Sequence, residues 1–101
     1  MEKRLRNIHP GEVLKEEFLV PMDITAYRLA KETSIPQTAI SEITRGRRRI
    51  SATVALKFAK FFGTSPQFWM GLQDDYDLEE QELGIKDELE RIHTFVLNHS
   101  A

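Results

Sequence analysis

The stretch that decides the fold is TAYRLAKETSIPQTAISEITRG, residues 25–46. It contains two short segments of helical character that are separated by a very short break. The first segment begins at Thr25, a residue type that caps helix N-termini, and places Leu29 and Ala30 on its inner side. The second segment ends before Gly46, and glycine is typical of the position just past a helix. The stretch therefore predicts two short helices joined by a tight turn.

Two helices joined by three or four residues form a helix-turn-helix. Ala30 is small where the two helices must approach closely, and Ile35 fills the turn. Ile40 and Ile43 recur at helical spacing and bury the inner face of the second helix. The outer face of that helix carries Gln37, Thr38, Ser41, Glu42 and Arg45. This outer face is what the motif displays to a partner.

The displayed residue types are those that read the edges of DNA bases. Glutamine pairs with adenine through two hydrogen bonds, threonine contacts the thymine methyl group, and arginine binds guanine. We therefore expect base readout from Gln37, Thr38, Ser41, Glu42 and Arg45. Glu42 has a second interpretation, as the ion-pair partner of Arg45 or of a neighbouring arginine, and the residues alone leave both open.

Three further arginines, Arg47, Arg48 and Arg49, follow the second helix directly. Most charge runs are solvated loops, but this one lies where the phosphates of the groove wall would pass. We expect these arginines to contact phosphates, together with Thr25 and Arg28 of the first helix.

The rest of the chain also reads as helical. Pro10 suits the first position of a helix that Pro21 ends, Ser51 suits an N-cap, and Ser65 followed by Pro66 marks another start. Strand signals, such as sustained alternation or a hairpin turn, are absent. The sequence predicts an all-α chain of about five helices, or six with the last segment.

The chain has 101 residues, the length of one small domain, and a net charge of −2. Residues 1–63 carry 12 Lys and Arg against 7 Asp and Glu, whereas residues 64–101 carry 2 against 9. Binding depends on local potential, so the basic part favours a polyanionic partner. No stretch approaches the roughly 18 apolar residues of a membrane span, and there is no cysteine. We expect a cytoplasmic protein that contacts no membrane.

The sequence predicts neither an enzyme nor a metal or cofactor site. The histidines His9, His93 and His99 lack metal-ligand spacing, and His9 is placed to cap the first helix. Adjacent carboxylates on a helix diverge by about 100° and cannot share a substrate. The aromatic residues around Trp69 have the spacing of core packing, with the indole N–H hydrogen-bonded or at the rim.

The acidic C-terminal part admits three interpretations. It is a solvated helix, a dimerisation helix, or a surface for a basic partner. Helical spacing over residues 85–98 predicts a last helix with one apolar stripe, formed by Ile85, Leu89, Ile92 and Val96. We expect these residues to form the dimer interface.

The residues YRLAKETSIPQTAISEITRGRRRISATVALKFAKFFGTSPQFWMGLQ, with IHPGEVLKEEFL in front, resemble the Cro/C1-type (XRE) helix-turn-helix family. They are most similar to HigA-type antitoxins, also called virulence-associated protein I. The resemblance covers about residues 8–78. It divides the chain into a DNA-binding domain, residues 1–78 with the motif over about 26–46, and an acidic helical tail, residues 79–101.

The resemblance implies a lambda-repressor-like bundle that binds double-stranded operator DNA as a homodimer and represses its own operon. It also implies a partner toxin, a HigB-like mRNA endonuclease, which the antitoxin neutralises. Where the family usually has glycine in the turn, this chain has Ser34. Two alternatives are a stand-alone phage-type or metabolic repressor and a protein-interaction adaptor without DNA binding. The basic charge of the first 63 residues argues against the adaptor.

Overall fold

The computed structural model describes residues 6–97, and all regular secondary structure among them is helical. In chain order the elements are α1 (Pro10–Val13), a π-helical segment (Leu14–Leu19), α2 (Val20–Met22), α3 (Ala26–Thr33), α4 (Gln37–Thr44), α5 (Ala52–Phe62), α6 (Pro66–Gly84) and α7 (Lys86–Glu90). The first three elements are continuous, so the described part of the chain has six separate helical stretches. The predicted all-α fold of about five helices and a possible sixth is confirmed.

The first helical stretch begins as predicted but ends later. His9 Nδ1 accepts a hydrogen bond from the Gly11 N–H at 2.9 Å, so His9 is the N-cap. The stretch continues through Pro21 and ends at Asp23, which has a left-handed backbone. The prediction that Pro21 ends this helix is therefore wrong. Proline has no N–H and crowds the carbonyl four residues before it. The wider turns of the π-helical segment, Leu14–Leu19, lie just before Pro21 in the chain, where this crowding would occur.

The other helix starts follow local signals in the sequence. The hydroxyls of Thr25, Ser51 and Ser65 each accept a backbone N–H three residues later, at 3.0, 3.3 and 3.0 Å. Pro66 occupies the first turn of α6. Each cap satisfies a backbone donor that has no partner inside its helix. These starts are confirmed as predicted.

The core lies between the helices and has Trp69 at its centre. The Trp69 indole is fully buried, and its Nε1–H donates to Thr64 Oγ1 at 2.8 Å. Phe18 and Phe58 pack on this indole with ring centroids 4.9 and 5.2 Å away. The other fully buried apolar side chains, besides Phe58, are Pro10, Leu14, Leu29, Ile40, Ile43, Ile50 and Ala55. The predicted core packing of the aromatic residues is confirmed for Phe58 and Trp69, and the partly buried Phe61 and Phe62 pack against the same core. Phe68 is 39% exposed and contacts Trp69 from the rim.

The C-terminal part differs from its predicted helix over residues 85–98. Helix α6 runs for 19 residues to Gly84, and only Lys86–Glu90 forms a further helix. Glycine weakens a helix, and the β-branched Ile92 and Val96 favour helix less than straight-chain residues. Residues 92–97 have no regular secondary structure. The predicted helix with a single apolar stripe is therefore wrong.

The predicted domain boundary at residue 78 lies inside α6, which passes through it without a break. The division into two parts thus stays a prediction, and its outer ends, residues 1–5 and 98–101, lie outside the described residues. No helix among residues 6–97 combines the length and the apolar character needed to cross a membrane.

Candidate nucleic-acid interface

The turn of the helix-turn-helix consists of residues 34–36, between α3 and α4. Ser34 has φ 57° and ψ 40°, a left-handed conformation that allows the Ile35 N–H to donate to Ala30 O at 3.1 Å. Ile35 is buried in the turn, and Lys57 Nζ donates to Ser34 O at 3.2 Å. The turn is thus held by the core on one side and by a side chain of α5 on the other.

Helix α4 buries one face and displays the other, as predicted. Ala39, Ile40 and Ile43 are buried, whereas the five predicted base readers, Gln37, Thr38, Ser41, Glu42 and Arg45, line one shallow surface depression. With respect to residues 6–97, the side chains of Gln37, Thr38 and Arg45 form no hydrogen bond or ion pair. These side chains are therefore available to a ligand.

Glu42 is the member of this face that already has a partner. Its Oε1 accepts a hydrogen bond from Nε of Arg48 at 2.7 Å, and Nη2 of the same guanidinium also lies 2.7 Å from this oxygen. Of its two predicted roles, the ion pair with a neighbouring arginine is the one present in the free chain. Arg48 is consequently tied to the recognition helix and is not directed freely into solvent.

The residues after α4 form what we call the arginine loop, residues 45–50. Gly46 has φ 75° and follows the helix end, as the sequence indicated. Arg47 is exposed and, within the described part of the chain, makes no ion pair. Arg49 is paired with Asp77 of α6 through Nη2 and Oδ2. The three predicted phosphate-binding arginines thus differ: among residues 6–97 Arg47 has no carboxylate partner, whereas Arg48 and Arg49 each have one.

The remaining predicted phosphate contacts lie at the start of α3. Thr25 is exposed, and its hydroxyl oxygen accepts the Arg28 N–H, which leaves the hydroxyl hydrogen to donate. The Arg28 side chain is exposed, 3.8 Å from the Glu32 carboxylate. Such exposed pairs contribute little, so Arg28 can leave Glu32 for a phosphate at small cost. The contacts of both residues with DNA stay predictions.

Sequence reasoning missed two residues of α6 that hold the arginine loop. Gln73 is almost fully buried, and its Oε1 accepts the Ile50 N–H at 2.7 Å. Gln73 Nε2 donates to Asp77 Oδ1 at 2.9 Å, and Asp77 in turn pairs with Arg49. A signal for both was present, because Gln73 and Asp77 lie four and eight residues after Trp69, on the buried side of α6.

His9 lies where α1, the arginine loop and α6 meet. Its ring packs edge-on against Tyr76 with centroids 4.9 Å apart, and a Cβ built on Gly46 would lie 3.6 Å from its Cγ. Burial lowers the pKa of His9 below its ordinary value, and the Asp77 carboxylate partly offsets this. The neutral ring is therefore favoured, as its role in capping Gly11 requires.

The predicted dimer residues are all solvent-accessible, although no single helix carries them. Leu89 lies within α7, Ile85 precedes α7, and Ile92 and Val96 follow it. Their exposed fractions rise along the chain from 36% at Ile85 to 77% at Val96. Together with Leu78, Leu83, Phe95 and Leu97 they form an exposed apolar tail surface. Single exposed apolar residues are ordinary, whereas large contiguous apolar patches are typical of interaction sites. The role of these residues in a dimer stays a prediction.

The two close-packed helices, the left-handed turn and the displayed polar face define a helix-turn-helix protein. The model of the family described as helix-turn-helix matches residues 14–69. Virulence-associated protein I of Dichelobacter nodosus is 44% identical over 75 residues, 74% of this chain and 69% of that protein. Antitoxin HigA-1 of Vibrio cholerae is 38% identical over 73 residues, 72% of this chain and 69% of that protein.

Solved structures agree with these sequence matches. Pseudomonas aeruginosa antitoxin HigA, determined with the higBA promoter, superposes with a TM-score of 0.85 at 36% identity, covering 90% of this chain and all of that one. Another Pseudomonas aeruginosa structure, that of PA4674 in complex with its operator DNA, gives a TM-score of 0.87 at 36% identity over 93% of this chain and all of that one. The chain belongs to the helix-turn-helix family and, within it, to the HigA-type antitoxins and virulence-associated proteins.

Proposed function

We propose that this chain is an antitoxin that binds the operator of its own operon and represses it. In this proposal α4 enters the major groove, where Gln37, Thr38, Ser41 and Arg45 read bases. The phosphates on the groove walls are contacted by Thr25, Arg28, Arg47, Arg48 and Arg49. The function is one of binding, with no catalytic role for any residue.

The observation that carries the proposal is the uncommitted polar face of α4. Gln37, Thr38 and Arg45 have no hydrogen-bonding partner among the described residues and surround one depression. These side chains keep their donors and acceptors available to an external ligand, and their residue types are those that bind the edges of bases. The superposable structures with promoter and operator DNA support double-stranded DNA as that ligand.

We propose further that the chain acts as a homodimer in the cytoplasm. One eight-residue recognition helix covers only a few base pairs, whereas a dimer reads two half-sites about one helical turn apart, roughly 34 Å. The exposed apolar tail surface, with Ile85, Leu89, Ile92 and Val96, supplies the contact area that a dimer needs.

The antitoxin role requires a toxin, and we propose a HigB-like mRNA endonuclease. An RNA-cleaving enzyme must attract a polyanion, so its surface is basic. Residues 64–101 of this chain carry 9 acidic against 2 basic residues, which is complementary in charge. The relative named antitoxin HigA-1 supports this partner.

A second candidate is a stand-alone transcriptional regulator without a toxin. Its support comes from relatives that carry only the name HTH-type transcriptional regulator, among them one from Haemophilus influenzae at 39% identity over 72 residues. Co-expression with any small basic protein encoded next to this chain distinguishes the two. If the neighbouring protein arrests growth, and this chain relieves the arrest and co-purifies with it, the chain is an antitoxin. If no arrest occurs and the chain purifies without a partner, it is a stand-alone regulator.

The DNA-binding proposal is tested by titrating the protein into a labelled duplex from the promoter of its own gene and into a scrambled duplex. Replacing Gln37 by alanine should weaken promoter binding by about 1–3 kcal/mol and leave the scrambled duplex unaffected. The matched control is Gln67→Ala, on the exposed first turn of α6, which should change neither. Equal losses on both duplexes would remove Gln37 from base readout.

The phosphate contacts are tested by the salt dependence of the same titrations. Arg47→Ala should weaken both duplexes alike and lower the slope of log K against log salt by about one unit. Arg91→Ala removes the same charge at the exposed end of α7 and should leave the slope unchanged. An unchanged slope for Arg47→Ala would place this arginine off the DNA.

A further inference from the structure

A chain of hydrogen bonds runs from the arginine loop into α6. The Ile50 N–H donates to Gln73 Oε1 at 2.7 Å, and Gln73 Nε2 donates to Asp77 Oδ1 at 2.9 Å. Asp77 Oδ2 then accepts from Nη2 of Arg49. We call this series, from Ile50 through Gln73 and Asp77 to Arg49, the loop relay. The loop relay holds the last two residues of the arginine loop against α6. Ile50 is held through its backbone N–H, and Arg49 is held through its side chain.

Core packing does not explain the residues of the relay. Gln73 is 1% exposed, and burying an amide is unfavourable unless each of its polar groups is bonded. A leucine or methionine would fill the same space without that requirement. Both polar ends of Gln73 are used by the relay, so its role is to fix the arginine loop against α6.

Simple electrostatics does not explain Asp77 either. A carboxylate beside the arginine loop repels DNA phosphates and lowers the affinity for every DNA sequence. Its presence is useful if it holds Arg49 in one orientation, because a fixed donor loses less conformational entropy on binding than a mobile one. A fixed Arg49 guanidinium also binds more tightly to DNA whose backbone places a phosphate within its reach than to DNA whose backbone does not.

We infer that Gln73 and Asp77 are positioning residues of the DNA interface, which set Arg49 and the arginine loop for the phosphates of the operator. The inference rests on the proposed DNA-binding function. The relay raises the preference for the operator over other DNA, although Asp77 lowers the affinity for DNA in general.

The test is the ratio of affinities for the promoter duplex and a scrambled duplex, measured for the full chain. Asp77→Asn keeps the side-chain shape but weakens the acceptor for Arg49 and removes one negative charge. We expect this ratio to fall on the order of tenfold, the effect of one charge-assisted hydrogen bond. The matched control is Asp75→Asn, which makes the same charge change at an exposed position of α6, about 160° around the helix from Asp77. The control should raise both affinities slightly and leave the ratio unchanged.

A second variant tests the relay without a change of charge. Gln73→Met fills the same space but cannot accept the Ile50 N–H or donate to Asp77. We expect faster hydrogen exchange at the Ile50 amide and the same loss of promoter preference. If Gln73→Met does not fold, Asp77→Asn decides alone, because the Asp77 side chain is 38% exposed and tolerates the change.

The possible outcomes separate the two proposals. A wild-type chain that binds both duplexes equally overturns the proposed function, and with it the role of the relay in DNA binding. A second outcome is that the wild type prefers the promoter duplex and Asp77→Asn shows the same affinity ratio, with both affinities raised equally. This result overturns the role of the loop relay but leaves the proposed function standing, because Asp77 then acts only as a charge that repels DNA.

Discussion

Gly11 of α1 lies against the backbone carbonyl of Ile43 in the recognition helix α4. A Cβ atom built on Gly11 would lie 1.6 Å from Ile43 O and 2.5 Å from the Ile43 carbonyl carbon. Only glycine permits this approach, and the obstacle is rigid backbone with no flexible side chain that could move aside. The start of the first helix therefore sets the position of the helix that faces DNA.

Replacing Gly11 by alanine should destabilise the fold by about 1–3 kcal/mol or more, as overpacking does. It should also weaken promoter binding, because α1 and α4 must separate. The control is Gly71→Ala in α6, where an added Cβ meets nothing within 4 Å. That variant should be neutral or stabilised by up to about 1 kcal/mol. Urea unfolding measures both, and a Gly11→Ala chain as stable as wild type would contradict the close approach.

Replacing Ser34 by glycine should stabilise the chain by about 0.5–1 kcal/mol. Ser34 has φ 57°, where a Cβ is strained, and its carbonyl contact with Lys57 does not need the side chain. The greater freedom of glycine in the unfolded chain reduces the gain. Thermal melts should show a higher Tm for Ser34→Gly and little change for the control Ser34→Ala, which keeps the Cβ. A lower Tm for the glycine variant would show that the strain is absent.

Stability should decrease as the pH is lowered through the region just below the ordinary His9 pKa of 6.5. Burial lowers the pKa of His9 in the folded chain, so the unfolded chain binds the proton more tightly and acid favours unfolding. The stabilising contribution is complete above pH 6.5 and is lost as the pH falls toward the folded pKa. Protonation also removes the Nδ1 acceptor for the Gly11 N–H.

Urea unfolding at several pH values between about 5 and 8 measures this dependence. The control His9→Asn retains an N-cap side chain but does not titrate. Its stability should depend less on pH than that of the wild type. Identical pH dependence in the two proteins would assign the effect to another group.

Deleting residues 85–101 should give a monomer that retains the folded helix-turn-helix. The fully buried core side chains all lie between residues 10 and 73, whereas the deletion removes α7 and most of the exposed apolar tail surface. Light scattering should show the smaller particle, and promoter binding should weaken by about tenfold or more at equal salt. A matched variant, Leu89→Ser with Ile92→Ser, keeps all tail charges and should behave alike. A dimer that persists in both would place the interface elsewhere.

The sequence by itself determined the local features of this protein. The caps at Thr25, Ser51 and Ser65 and the left-handed turn at Ser34 depend on residues within three or four positions of each other. The inward face of each helix follows from apolar spacing in the same way. For this reason the all-α fold, the helix-turn-helix and the displayed face of α4 could be predicted from the sequence.

Only the tertiary structure decided which partners the displayed charges have. Glu42 had several arginines within reach, and the pairing with Arg48 depends on the path of the arginine loop. The pairing of Arg49 with Asp77 spans 28 residues of sequence, and its geometry depends on how α6 packs beside that loop. The predicted last helix was wrong for a related reason, because residues 92–97 make up an exposed segment without a helix to pack against. Caps and apolar spacing involve residues within about one helical turn of each other. The contacts of Glu42 and Arg49 form only after helices distant in sequence have packed together.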